Sequence, residues 1–269
     1  MTQASHKKGR EKKTKKDLGR IVLYVLMIML WVFASLEVSE LIVRYLIIWT
    51  VSEGDLGKPV VTAVYSALAY TLAMIMIILL PLLIRRKRDP HHNDVNWVKQ
   101  ERKKELKTLG LFDWPTWTDI GLAPVGFIVY SILAGGLMAL FSLFPWFNAS
   151  EIQDVGFNYF VSGGDRVLAF LTTVIVAPIA EEVIFRGWLY GRMREKIASR
   201  YSNVVSMIVS IFLVSLLFGI IHGQWNVGVN VFALSIVLCG LREITGTIHA
   251  GILLHMLKNG VAFWLLFMM

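Results

Sequence analysis

Long apolar segments are the feature of this sequence that most restricts its fold. Stretches that approach or exceed 20 residues and contain few charged side chains recur along the whole chain of 269 residues. A helix of about 20 apolar residues crosses the hydrocarbon core of a bilayer. Inside a bilayer the backbone polar groups must bond to one another, which leaves helices and closed barrels as the structures that can span it. The length of the apolar stretches favours helices and predicts an all-α, polytopic membrane helical bundle.

About seven transmembrane helices are expected. Charged residues make up only 17% of the chain, compared with roughly 25% in soluble domains. The sequence predicts a basic tail over residues 1–20, followed by N-terminal transmembrane helices over 21–165 that include a basic loop at 85–118. A C-terminal four-helix catalytic core is expected over 166–269. The predicted spans are 21–50, 60–84, 120–144, 166–196, 202–223, 225–243 and 247–268.

Clusters of cations predict how the chain lies in the membrane. The net charge is +8, and the basic residues gather in the tail, between Arg85 and Lys107, and between Arg186 and Arg200. Such clusters mark the cytoplasmic ends of membrane helices. We therefore expect a multi-pass protein of the cell membrane with a cytoplasmic N-terminus and an outer C-terminus. Blocks of cations also occur in nucleic-acid-binding proteins, but in so apolar a chain we expect the lipid bilayer, and no nucleic acid, as the partner.

Ionisable side chains inside the fourth span indicate a chemical site, because such groups are costly in a membrane. Glu182 and Arg186 are four residues apart with the acid first, the favourable order for an ion pair on a helix. Glu181 lies about 100° around the helix from Glu182, so Arg186 cannot serve both acids equally. One carboxylate can therefore be structural while the other faces a cavity as a general base. Pro178 predicts a kink or a loosened turn just before them.

The later spans supply further polar groups. If the chain turns near Arg200, antiparallel packing brings His222 to the depth of Glu181. His255 and Asn259 share one face of the last helix and can both point at one reacting oxygen. A base, two imidazoles and an amide together suit the attack of water on a peptide bond.

Three motifs in order connect these residues to a known family. The chain contains EExxxR at Glu181–Arg186, FxxxH at Phe218–His222 and HxxxN at His255–Asn259, with a similar turn at Gly240–Gly246. Over residues 166–269 it resembles the CAAX-protease and bacteriocin-processing (CPBP or Abi) family of intramembrane proteases, which is related to the CAAX prenyl endopeptidases. Each motif alone is weak, but their order on neighbouring spans is specific.

The resemblance implies a role for each motif residue. Glu181 would activate the water, His222 would bind or orient it, and His255 with Asn259 would stabilise the oxyanion. The supporting residues would be Glu182, Arg186 and Phe218. The resemblance to the CAAX enzymes also suggests a cavity reached from the cytoplasmic side, although residue counting from Arg200 places Glu181 deep in the bilayer.

Zinc is the cofactor that the sequence leaves open. Glu181, His222 and His255 would make a His₂Glu set of the kind that binds catalytic zinc. The H-E-x-x-H signature of soluble zinc proteases is absent. Members of the family have been called metalloproteases, yet the CAAX endopeptidases also support a glutamate mechanism. We therefore expect no permanent cofactor and keep a divalent metal as the alternative.

The predicted activity is endopeptidase cleavage of a membrane-associated peptide or protein. A non-catalytic bacteriocin immunity or scaffold protein would retain the same fold, since a fold does not establish an activity. A proton-coupled transporter would also use buried Glu and His residues.

Five residues outside the motif roles carry separate expectations. Glu40 and Arg44 are expected to form an interfacial salt bridge. Cys239, the single cysteine, is expected to be a small core residue. Lys258 either extends away toward the interface or pairs with a glutamate, and His249 adds an imidazole before His255.

Overall fold

The structure, a computed structural model, is a helical bundle and describes residues 2–91, 94–151, 157 and 162–267, with side chains from residue 17 onward. Seven helices or helix groups are long and apolar enough to cross a membrane. The predicted all-α fold and its seven spans are confirmed. The helices are α1 (Thr2–Thr50), α2 (Pro59–Met74), α3 (Leu80–Arg88), α4 (Val95–Leu109), α5 (Trp117–Phe141), α6 (Gly163–Phe170), α7 (Ala177–Glu181), α8 (Tyr190–Ala198), α9 (Asn203–Ile220), α10 (Trp225–Thr245) and α11 (His249–Phe267).

Polar residues fix where several helices begin. Thr116 caps α5 in a reciprocal capping box with Asp119, and Ser162 caps α6 in the same way with Asp165. These hydroxyls and carboxylates satisfy backbone N–H groups that the first turn leaves without partners. The two capping boxes therefore fix the first turns of the third and fourth spans.

The basic loop predicted over 85–118 contains a helix, α4, that its charge density concealed. Asp94 caps its start, and Gly110 ends it in the left-handed conformation that glycine adopts without strain. The end of α4 lies on the fourth span, where Gly187 and Gly191 allow the backbone to approach. A Cβ at Gly191 would lie 2.5 Å from the Thr108 carbonyl oxygen, so only glycine fits there.

The fourth span is one helix of 36 residues that changes its winding twice. A π-helical turn at Leu171–Val176 precedes α7, and a second at Glu182–Leu189 follows it. The loosened turn predicted around Pro178 therefore takes this form. The N–H of Ala177 bonds to the Thr172 carbonyl, and in this register the Thr173 carbonyl would pair with the missing N–H of Pro178. The backbone near Glu181 thus has a carbonyl in need of a partner.

The largest apolar core joins the two halves of the chain. Side chains of α1 and the α2–α3 span, such as Val32 and Ile77, pack with Phe185 and Phe218 from the fourth and fifth spans. Cys239 is fully buried in this core, as predicted. The helices that carry the motifs are therefore held by helices that carry none.

The predicted salt bridge between Glu40 and Arg44 was wrong. Both residues lie in the described part of the chain, and their side chains do not form an ion pair there. The Glu40 side chain instead lines a cavity inside the bundle, next to α2. Helical spacing allowed the pair, but tertiary packing placed the acid elsewhere.

Candidate active site

Glu182 and Arg186 form a fully buried ion pair beneath the site. Arg186 Nη1 donates to Glu182 Oε1 at 2.9 Å, and both side chains have no exposed surface. The guanidinium also lies over the Phe218 ring, with 4.3 Å between its central carbon and the ring centroid. Such a cation–π contact is strongest where water is excluded. The predicted pair is confirmed, and Phe218 contributes an aromatic face to the same contact.

His255 stands between the two glutamates. Its Nδ1 lies 2.9 Å from Glu182 Oε1, and its Nε2 lies 3.6 Å from Glu181 Oε2. Since a carboxylate oxygen of Glu182 can only accept, Nδ1 is the nitrogen that donates. Glu182 therefore fixes the ring so that Nε2 faces Glu181. Gly251 makes room for this acid, because a Cβ there would lie 3.1 Å from Glu182 Oε2.

Glu181 is the carboxylate of the pair that reaches the cavity. Its side chain is 15% exposed, whereas that of Glu182 is completely enclosed. The Tyr70 hydroxyl, from α2, donates to Glu181 Oε1 at 2.5 Å. This bond occupies one carboxylate oxygen and leaves Oε2 toward His255. The predicted division into one structural acid and one cavity acid therefore matches the geometry.

His222 follows the end of α9 and reaches the same cavity. Its Nδ1 lies 2.7 Å from the Phe218 carbonyl, one of the groups that a helix end leaves unpaired. Since a carbonyl only accepts, Nδ1 carries the proton, and in the neutral ring Nε2 has a lone pair. His222 can thus accept a hydrogen bond from a molecule in the cavity.

Asn259 supplies the partner that the Thr173 carbonyl lacks. Its Nδ2 donates to that oxygen at 2.8 Å, where Pro178 offers no N–H. The side chain therefore ties α11 to the π-helical turn before α7. An amide nitrogen has two hydrogens, so the second remains for the cavity that Asn259 also lines.

A cavity of about 500 Å³ contains these groups. It lies among α1, α2, the fourth span and α11, and combines hydroxyl, amide and ionisable side chains. All four predicted catalytic residues line it. Its polar lining is given by Glu40, Thr62, Tyr65, Ser66, Tyr70, Thr172, Thr173, Glu181, His222, His255, Lys258 and Asn259.

The alternative zinc set of Glu181, His222 and His255 is not assembled. Within the described residues, no group of three or more His, Cys, Asp or Glu side chains could hold a metal ion. Each imidazole keeps its Nε2, as a zinc ligand would, but the three side chains are not grouped closely enough to hold one ion. These residues do not fit a preformed zinc site.

Lys258 and His249, the two α11 residues outside the motif roles, have different positions. Lys258 lines the cavity, and its charge interacts with Glu181 and His222, although no ion pair with either glutamate is formed among the described side chains. His249 lies at the other end of α11, where its Nε2 is 2.8 Å from the Asp113 carbonyl. Lys258 therefore neither extends away nor forms a direct pair, and His249 is remote from the cavity.

The motif-bearing part of the chain also matches a family model. Residues 163–261 match the model described as type II CAAX prenyl endopeptidase Rce1-like. This part of the chain is similar to the Rce1-like family. The match extends from α6 into α11 and contains all three motifs, which confirms the resemblance drawn from them. No curated protein and no solved structure matches the chain.

Five polar residues of the cavity lie before the Rce1-like segment and were not predicted to belong to the site: Glu40, Thr62, Tyr65, Ser66 and Tyr70. Tyr70 is 111 residues before Glu181 in sequence, and Glu40 is on α1. A tyrosine within a span had no local signal to distinguish it from an aromatic core residue. The site is therefore larger than the Rce1-like segment.

Proposed function

We propose that the protein is an intramembrane endopeptidase in which Glu181 activates a water molecule. The observation that carries this proposal is the position of Glu181, exposed to a polar cavity inside a membrane bundle and flanked by Tyr70 and His255. A carboxylate in such a site is a suitable general base, because water is scarce and the geometry is fixed. The Rce1-like match supports peptide hydrolysis as the reaction.

In the proposed mechanism, water binds beside Glu181 Oε2 and donates one hydrogen bond to the lone pair of His222. Glu181 takes the proton as the water oxygen attacks the carbonyl carbon of the substrate. The tetrahedral oxyanion is stabilised by the free N–H of Asn259 and by the Nε2–H of His255 in its doubly protonated form, in which Nδ1–H still donates to Glu182. Collapse of this intermediate breaks the C–N bond, and Glu181 returns its proton to the leaving amine.

The proposed supporting groups keep this arrangement in register. Glu182 orients His255, and Arg186 balances the charge of Glu182 in the dry interior. Phe218 packs below Arg186 and next to both imidazoles, with ring centroids 4.9 Å from His222 and 6.1 Å from His255. The expected substrate is a segment of a membrane-associated peptide or protein, since the cavity lies within the span of the bundle.

The test is cleavage of a membrane-peptide library by the purified protein, compared with Glu181→Gln. The substitution keeps the size of the side chain and removes its basicity. Loss of general-base catalysis should lower the cleavage rate by roughly 10²- to 10⁴-fold. Equal thermal stability of the two proteins would exclude a folding defect, and cleavage that survives the substitution would contradict the assigned base.

A transporter is less well supported by the same contacts. The polar chain from Tyr70 through Glu181 and His255 continues to Glu182 and ends at Arg186. Two guanidinium nitrogens of Arg186 have no hydrogen-bond partner among the described residues, and the Phe218 ring covers the group. A proton pathway needs a continuation toward the other side of the membrane.

A non-catalytic immunity protein is the remaining alternative and predicts no product from any library peptide.

A further inference from the structure

The active-site cavity extends from Glu181 toward one end of the bundle only. On α11 its lining begins at His255 and continues to Phe267, toward the C-terminal end of the helix. On α2 it continues from Tyr70 to Thr62, toward the start of the helix. Along the fourth span, every lining residue lies at or before Glu181.

These directions agree, because the three helix ends are neighbours. Helix α2 packs against α6, which begins the fourth span. Near the end of α11, the Phe263 ring lies 5.5 Å from that of Phe170 in α6. Phe157, from the connection before α6, also lines the cavity there. The mouth is therefore at the end where α2 and α6 begin and α11 ends.

The basic segments lie together at the opposite end of the bundle. Arg85, at the end of the second span, pairs with Glu105 of α4 at 2.5 Å, and Arg192 of α8 pairs with the same acid. Arg200 lies 3.8 Å from Asp17 of α1. The N-terminal segment, the α3–α4 connection and the end of the fourth span thus meet at one end.

The mouth end is almost free of cations. The connection over residues 142–165 contains no Lys or Arg, although Arg166 follows it in the first turn of α6, and the connection over 51–58 contains only Lys58. By contrast, residues 1–20 contain eight cations. Since Lys and Arg accumulate in cytoplasmic loops of membrane proteins, the basic end faces the cytoplasm.

We infer that the active-site cavity opens on the non-cytoplasmic side of the membrane and receives its substrate from that side. This reverses the cytoplasmic access that the family resemblance suggests. A substrate segment at the outer surface reaches Glu181 along α2 and α11, whereas a lipidated tail on the cytoplasmic surface meets α4 and the basic end. The substrate part of this inference rests on the proposed protease function, but the side of the mouth does not.

Single-cysteine labelling tests the side of the mouth without any need for cleavage. Cys239 is the only cysteine and is buried, so Cys239→Ala provides the background. Ser66→Cys places a thiol in the cavity, and Leu68→Cys places one on the same helix at a site 40% exposed on the outer face of the bundle. Lys87→Cys places a thiol at the basic end and shows which side of the membrane that end faces. A membrane-impermeant maleimide is added to spheroplasts and, separately, to inverted vesicles.

Ser66→Cys should react in spheroplasts, Lys87→Cys should react only in inverted vesicles, and the lipid-facing Leu68→Cys should react in neither. Thr62→Cys, one turn nearer the mouth, is the second variant if the reagent is too large to reach position 66. The inference is overturned if the cavity variants react only in inverted vesicles, or if neither reacts in either preparation. Labelling from outside combined with an inactive wild type would retain the mouth and reject the protease.

Discussion

At the scale of single residues, the site depends on contacts that fix the direction of each hydrogen bond. The Glu181 carboxylate receives the hydroxyl of Tyr70 on one oxygen and faces His255 with the other. A base held in this way does not need to reorient before it accepts a proton, which is the benefit of a pre-organised site. Tyr70 therefore acts as a positioning residue for the proposed base.

Tyr70→Phe should lower the cleavage rate about tenfold. The loss corresponds to about 1.4 kcal/mol, within the range for one hydrogen bond to a charged group. The ring remains, so packing in α2 should be unchanged. Tyr65→Phe is the matched control, because Tyr65 lines the same cavity without a described bond to Glu181. Equal rate losses for the two variants would argue against a specific role for Tyr70.

The buried ion pair should matter for stability more than any surface pair. Glu182→Gln leaves the guanidinium of Arg186 buried without its counter-charge, which costs about 3–5 kcal/mol in comparable pairs. Glu243→Gln is the control, since Glu243 and Arg194 form a pair with both side chains at least 20% exposed. Such a pair contributes about 1 kcal/mol or less.

Thermal unfolding in detergent, followed by tryptophan fluorescence, measures both variants. Glu182→Gln should lower the midpoint several times more than Glu243→Gln. Similar midpoints for the two would mean that Arg186 finds another partner when Glu182 is changed.

At the scale of helices, close backbone contact between α9 and α10 holds His222 in place. Gly219 and Gly228 face each other, and a Cβ on either would lie 2.9 Å from the carbonyl oxygen of the other. Small residues allow this approach in membrane bundles. Because His222 follows α9 directly, the spacing of the two helices sets where its ring enters the cavity.

Gly228→Ala should separate α9 from α10 and reduce both stability and cleavage. Overpacking of this kind costs about 1–3 kcal/mol. Gly240→Ala, on the same helix, has no atom within 4 Å of the added Cβ and should be neutral or slightly stabilising, since alanine favours a helix by up to about 1 kcal/mol. Thermal unfolding and cleavage assays separate the two, and equal behaviour would show that the contact is not limiting.

Sequence patterns predicted the features of the helices that depend on neighbouring residues along the chain, such as the spans and the ion pair within one helix. Hydropathy predicted the seven spans, and the i, i+4 spacing predicted the pair of Glu182 and Arg186. Pro178 signalled an irregular turn, but the two π-helical segments depend on how the whole fourth span packs. The α4 helix was missed because its many lysines resemble a solvated loop, while its stability comes from capping by Asp94 and contact with the fourth span.

Contacts between distant helices were beyond prediction. The sequence gives no reason to connect Tyr70 with Glu181, and helical spacing favoured Arg44, rather than the cavity, as the neighbour of Glu40. Asn259 was predicted to face a reacting oxygen, and its bond to the Thr173 carbonyl became evident only from the register of the π-helical turn. Residue types and order therefore predicted the set of polar groups, whereas their partners followed from tertiary packing.

At the scale of the whole molecule, the site is shared between a segment with family motifs and helices without them. The Rce1-like segment supplies Glu181, His222, His255 and Asn259. The first half of the chain supplies Tyr70, and α1 and α2 close one wall of the cavity. The third span, α5, packs along both α10 and α11 on the other side. The motifs alone therefore do not enclose a cavity.

This sharing predicts that the two halves must assemble before the protein can act. A split between residues 149 and 150 leaves α1–α5 on one chain and α6–α11 on the other, within the connection over 142–162. Membrane helices can insert separately and then associate, so co-expressed halves should copurify and regain part of the cleavage activity. The C-terminal half alone should be inactive, because it lacks Tyr70 and one wall of the cavity.

The Tyr70→Phe substitution in the N-terminal half should lower the cleavage rate of the reassembled protein about tenfold, as in the intact chain. Full activity from residues 150–269 alone would show that the Rce1-like segment needs no other helix, and that the contact between Tyr70 and Glu181 does not contribute to the reaction.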